Sequence, residues 1–154
     1  MPKPPIHRIR GNVEVHYEWT YGRYASEFFR NLKQGRFVAS RCKKCGKLLV
    51  PPEAVCGVCF ADTEEKLIPV PDTGEVITFT KINFSYPGQI IPPPYAVGII
   101  KLDGVNTRFN HLIKAKDLAK IECGTRVKAK WRKEDEREGS FFDIEYFELM
   151  EDKE

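Results

Sequence analysis

The chain has 154 residues, of which 42% are hydrophobic and 31% charged, so it reads as globular and is long enough for one ordinary domain or two small ones. No apolar run approaches membrane-spanning length and no targeting segment is recognisable, which favours the cytoplasm. The formal charge of +3 is uneven: residues 1–61 carry eleven Lys/Arg against four Asp/Glu, residues 62–154 fourteen against eighteen, so the basic part can attract phosphates or an acidic protein surface while the acidic part argues against a non-specific nucleic-acid groove over the whole molecule.

Residues 1–12 form a Pro-rich, basic lead. Val13, Val15, Tyr17 and Trp19 then alternate with Glu14, His16 and Glu18, a period of two that predicts an extended segment with one apolar face, packed on its own domain in preference to a partner. Tyr21, Tyr24, Ala25, Phe28, Phe29 and Leu32 follow helical spacing, with Gly35 as the stop. This aromatic stripe suits either the chain's own core or another subunit, since a small ribbon has little area to cover so many rings.

Phe37–Ser40 and Leu48–Val50 are short predicted strands that flank the first metal turn. Cys42-Lys-Lys-Cys45 and Cys56-Gly-Val-Cys59 are separated by ten residues. Each Cys-x-x-Cys turn points two sulfurs to one side, so two facing turns make a closed four-thiolate site for zinc, with iron in a rubredoxin-like setting as the rival. Four protein ligands leave no open coordination position, which makes the metal structural. Two disulfides would need an oxidising compartment. Cys123 is left over and reads as a half-buried small residue.

The domain junction falls at Pro69 to Gly74. Beyond it, strands are predicted over 75–84, 95–102, 105–113, 125–133 and 140–149. Asp103-Gly104 is a two-residue hairpin signal, 114–121 a short helix, and 134–139 a solvated turn. Strand, strand, strand, short helix, strand, strand is the order of an OB barrel. The predicted class is therefore mainly β: arm and helix over 1–36, zinc ribbon over 37–70, five-stranded barrel over 71–154. Arg126, Lys128, Lys130 and Arg132 share one face of the fourth strand, either as ordinary solvated charge or as a phosphate stripe joined by Lys81, Lys101 and Arg108. His7, His16 and His111 are scattered and no nucleophile–base motif is evident. His111 reads as a satisfied barrel residue.

Gly35-Arg36-Phe37, Cys42 to Gly46, Pro51-Pro52, Cys56 to Cys59, Gly74 to Thr80 and Pro94 to Ile99 together resemble the acyl-CoA-associated zinc-ribbon/OB family, over about Tyr24 to Leu149. Glu53 stands where that family often has arginine. The resemblance implies a companion of thiolase-like enzymes, in archaea a bridge between thiolase and hydroxymethylglutaryl-CoA synthase, and elsewhere a partner of acyltransferases or of steroid-degrading hydratases and aldolases. An accessory, non-catalytic subunit that binds CoA or acyl-CoA is thus expected. Lys101, Arg108, Lys128 and Lys130, with Tyr86 and Tyr95, are its candidate CoA contacts, and Tyr17, Trp19, Tyr21, Tyr24, Phe28 and Phe29 its candidate partner contacts. The alternative is a single-stranded nucleic-acid-binding OB protein, using Phe79, Phe109 and the basic residues.

Overall fold

The computed structural model describes residues 10–89 and 91–150, so the lead before Arg10, His7 included, lies outside the described residues. Helix α1 (Gly22–Lys33) buries Phe28 and Leu32 and leaves Phe29 half-covered. It stops where the spacing places the stop. Gly35 takes φ 70°, its N–H donates to Leu32 O at 2.8 Å, and Arg36 N–H donates to Asn31 O at 3.0 Å. A side chain at Gly35 would also meet the guanidinium of Arg137, 2.8 Å from an ideal Cβ. Arg137 donates to Arg132 O at 2.7 Å and lies over the Trp131 ring, so the loop after the barrel's fourth strand closes on the helix C-terminus.

The ribbon sheet has the order β2-β1-β3, built from β1 (Phe37–Arg41), β2 (Leu48–Leu49) and β3 (Ile68–Val70), all antiparallel. By sequence Pro69 belongs to the domain junction. It instead sits in β3, which is an edge strand, and an edge is where the missing N–H of proline is tolerated.

The second sheet is a closed barrel of order β4-β5-β6-β8-β7: β4 (Thr73–Ile82), β5 (Tyr95–Leu102), β6 (Phe109–Lys114), β7 (Arg126–Trp131) and β8 (Ile144–Leu149). Only β6 and β8 pair in parallel. This is the OB arrangement. Burial alternates along β5 and β7 as the period of two requires, with Val127 and Ala129 inside and Arg126, Lys128 and Lys130 outside.

Three local expectations change. The third strand begins at Phe109 rather than Val105, because residues 106–107 serve the ribbon. Leu48 N–H donates to Asn106 Oδ1 at 2.9 Å, Asn106 N–H returns a bond to Leu48 O at 2.9 Å, and Thr107 Oγ1 accepts from Val50 N–H at 2.7 Å. The short helix shrinks to a 3-10 turn, Leu118–Lys120, capped by Asp117. The last strand begins at Ile144, not Ser140, because Phe141–Asp143 form another 3-10 turn closed by a reciprocal Ser140–Asp143 capping box.

Asp143 is buried, and its carboxylate accepts from the N–H groups of Glu138, Gly139 and Ser140 at 2.9, 2.8 and 3.1 Å. Asp143→Ala would leave three donors without their shared acceptor. We expect a loss of about 3 kcal/mol in urea unfolding at neutral pH. A cost below about 1 kcal/mol would mean that water replaces the carboxylate.

One core runs through all three parts. Phe28 and Leu32 of α1, Phe37 to Ala39 of β1, and the inward faces of the barrel form a single buried cluster. Phe37 is its hinge point, with ring centroids 4.9 Å from Trp131, 5.9 Å from Phe109 and 6.4 Å from Phe147. A separate small cluster, Cys42, Leu49 and Cys56, surrounds the thiols. Among the described residues no helix is long and apolar enough to cross a membrane.

Candidate metal centre and exposed aromatic track

The first thiol turn leaves β1 and returns through β2. The second is held against it by the antiparallel Cys42–Thr63 bridge and closed at its own base by the Val55–Asp62 bridge. The side chains of Cys42, Cys45, Cys56 and Cys59 converge so that all four sulfurs lie within 4.8 Å of one another. Cys42 and Cys59 sulfurs are 3.4 Å apart and those of Cys45 and Cys56 3.8 Å. Zinc–sulfur bonds near 2.3 Å in a tetrahedron require edges of about 3.8 Å, so the donor set fits one such ion.

The electrostatics of the bare thiols agree with that use. The Cys45 N–H, 3.4 Å from the Cys42 sulfur, is the main cause that lowers Cys42 to about 6, against the opposing effect of burial. Backbone N–H groups of Val58 and Cys59 likewise lower Cys56. Cys59 moves the other way, to about 11: a hydrogen bond from the Ala61 backbone favours its thiolate, but the Cys42 thiol, burial and the other two thiols outweigh it. The opposed directions have one cause. Four sulfurs this close cannot all ionise without a cation, and a divalent metal supplies it.

The sequence-chosen CoA contacts do not gather into one pocket. Tyr95 and Lys101 lie six residues apart on β5, about 20 Å at strand rise. Tyr86 belongs to the Tyr95 end, where Gln89 Nε2 donates to Tyr95 Oη at 3.0 Å and Gln89 Oε1 accepts from Tyr86 N–H at 3.2 Å. Lys101 is at the other end and pairs with Glu75 at 3.5 Å, and Arg108 is exposed just before β6. Lys128 and Lys130 point outward from β7, opposite Glu148 and Tyr146. Arg126 makes two bonds to Asp103, at 2.7 and 2.5 Å, and holds that carboxyl down to about 2. The basic face is therefore interrupted by carboxylates, which is the ordinary solvated strand. A cleft of about 410 Å³ lies elsewhere, between α1 and the ribbon, lined by Arg23, Tyr24, Arg36, Glu65, Lys66 and Leu67 among others.

His111 differs from its expectation. It faces the barrel interior edge-on to Phe109 and Phe147, and its Nδ1 has no hydrogen-bond partner among the described residues. Its Nε2 lies 3.4 Å from Phe141 O, and burial lowers its pKa against the opposing effect of that carbonyl.

The candidate partner contacts divide. Residues 10–21 form no strand, and the apolar stripe does not pack on its own domain: Val13, Val15, Tyr17 and Trp19 are 89%, 68%, 73% and 72% exposed. From there the rings continue in steps, Tyr17 to Trp19 at 6.0 Å, Trp19 to Tyr21 at 6.4 Å, Tyr21 to Phe29 at 5.3 Å and Phe29 to Phe141 at 5.5 Å. Phe28, expected at the surface as a partner contact, is 1% exposed and belongs to the core, where no partner can reach it. Tyr24 is half-buried, with its hydroxyl 3.4 Å from Glu64 O. Phe141 extends this surface and its neighbour Phe142 is exposed beside it; neither is legible in the sequence, where both read as the start of a strand.

Two family models match consecutive stretches that together span about two thirds of the chain: the ChsH2 rubredoxin-like zinc ribbon domain over residues 31–65 and the ChsH2 C-terminal OB-fold domain over residues 67–132. Among solved structures, the chain is similar to one of the Ltp2-ChsH2(DUF35) aldolase, with 26% identity, a TM-score of 0.59, and 78% of this chain and 92% of that chain covered. A DUF35-family protein of unknown function from Sulfolobus solfataricus shares the fold, with 20% identity, a TM-score of 0.62, and 83% and 84% covered. With the paired thiol turns, the closed barrel and the order of the two domains all in agreement, the chain belongs to the ChsH2 (DUF35) family of zinc-ribbon plus OB-fold proteins.

Proposed function

We propose that the chain is an accessory subunit that docks on a thiolase-like enzyme acting on acyl-CoA, in the class that includes aldolases and hydroxymethylglutaryl-CoA synthase, and that it helps to hold the CoA portion of the substrate there. The observation that carries this is the exposed aromatic track from Tyr17 to Phe141. It is too large and too contiguous for a surface that meets only water. The related Ltp2-ChsH2(DUF35) aldolase, named for two components, supports the choice of partner class. The metal ligands are all protein thiols, which supports a structural ion and leaves the chemistry to the partner. CoA contacts then come from both proteins. On this chain the basic ends of β5 and β7, the Tyr86–Tyr95 loop and the helix–ribbon cleft remain separate patches for a partner to complete. Single-stranded nucleic-acid binding is the weaker reading, because Phe109 packs on Phe37 in the core and the basic face is interrupted by Glu75 and Asp103.

Removal of residues 1–20 tests the proposal while it spares Phe28 and Leu32, which a deletion through the helix would take from the core. We expect at least about a 100-fold loss of affinity for the co-purifying enzyme, measured by calorimetry, with the melting temperature nearly unchanged. Unchanged affinity would refute the docking role of the arm.

A further inference from the structure

The two thiol turns are near copies. In the first, Cys42 N–H donates to Lys47 O at 2.9 Å and Gly46 N–H to Cys42 O at 3.0 Å. In the second, Cys56 N–H donates to Ala61 O at 2.9 Å and Phe60 N–H to Cys56 O at 2.9 Å. The residue that closes each turn is left-handed, with φ 70° at Gly46 and 56° at Phe60. Glycine adopts that conformation freely. An aromatic residue is strained there, because its Cβ crowds the following carbonyl. Phe60 is the single non-glycine residue with positive φ among the described residues. Its ring recovers nothing by burial, since it is 82% exposed. Val58 and Val55 on the same turn are exposed as well, and Lys43 and Lys44 are exposed on the facing turn.

The turn itself requires the left-handed backbone, as Gly46 shows, but nothing in the fold explains why an apolar ring exposed to water stands there in place of glycine. A metal held by the four thiols would clamp this turn, so the ring would stand on a rigid base and little entropy would be lost when it is covered. We propose that Phe60, flanked by Val58 and Val55, is a second anchor for the same partner enzyme, seated in an apolar socket whose rim carries carboxylates that meet Lys43 and Lys44. This rests on the accessory-subunit reading above and uses a different element of the chain from the arm.

The test is carried out on the full chain with bound metal, against the thiolase-like enzyme that co-purifies with it. Phe60→Gly relieves the strain and removes the ring. The expected result is a melting temperature higher by about 2–4 °C, full metal content, and at least a tenfold loss of affinity. Phe60→Tyr keeps the ring and is expected to bind within about threefold of the unsubstituted chain. Unchanged affinity in Phe60→Gly overturns the anchor and leaves the accessory role standing. A lower melting temperature in Phe60→Gly overturns the strain premise, and the proposal with it. Tyrosine that binds as poorly as glycine also overturns it. If the unsubstituted chain brings down no thiolase-like enzyme, the proposed function fails and this inference fails with it.

Discussion

Cys56→Ser is expected to strip the metal and unfold the two thiol turns, about residues 42–47 and 53–63, while the barrel stays folded. Cys56 is completely buried among the other three thiols, and its thiolate is already favoured by the N–H groups of Val58 and Cys59. Serine offers a shorter, harder donor that stays protonated at neutral pH, so the closed soft-donor set is broken. Zinc held by such a set is worth roughly 10–16 kcal/mol of folding free energy at pH 7. The small cluster of Cys42, Leu49 and Cys56 cannot replace that, because besides the cysteines its apolar side chains are Leu49 and the half-buried Ala61. The main core contains none of the four cysteines, which is why the barrel survives. The check is metal content by mass spectrometry together with amide exchange. The expected outcome is a fall from one zinc per chain to almost none, with protection lost over the ribbon turns and retained in β5 and β7. One zinc per chain in Cys56→Ser, or global unfolding of the barrel, would contradict this account of the site.

Phe37→Ala is expected to cost about 3–5 kcal/mol in urea unfolding. The side chain is 1% exposed and meets Trp131, Phe109 and Phe147, three barrel residues, from a ribbon strand. Its loss would open a cavity at the place where ribbon and barrel share their core. Val38, Ala39 and Val50 of the shared core, with the Asn106 and Thr107 bonds to Leu48 and Val50, would then be the remaining ties. We expect the single transition of the unsubstituted chain to broaden, as the two parts lose the contact that couples them. A cost below about 1.5 kcal/mol would show that the two parts are held together by their hydrogen bonds and not by the ring.

What could be read from the sequence was whatever is local. Two Cys-x-x-Cys turns fix four sulfurs by spacing alone, and the alternation in β5 and β7 fixes which side of each strand faces the core. What could not be read depends on pairs far apart in the chain. Asn106 and Thr107 look like strand residues until Leu48 and Val50 arrive to bond them. Pro69 looks like a junction until β1 makes it an edge. Asp143 looks like a surface acid until its own loop folds three N–H groups onto it. Basic residues chosen by strand parity do not gather in one place on this chain for the same reason. Parity placed Lys101 and Lys128 outside the barrel correctly, but it carries no information on the Glu75 and Asp103 carboxylates set among the basic side chains of that face. The arm shows the limit of periodicity itself, since an alternating stripe says that one face will be covered but not by which molecule.

The most direct measurement is affinity purification of the chain at its native level, followed by mass spectrometry of what is retained and by a salt series. The account expects a thiolase-like enzyme in stoichiometric amount, retained as salt rises and absent when residues 1–20 are removed. Recovery of nucleic acid with no enzyme, lost as salt rises, would contradict it and turn the reading toward the OB barrel as a nucleic-acid-binding domain.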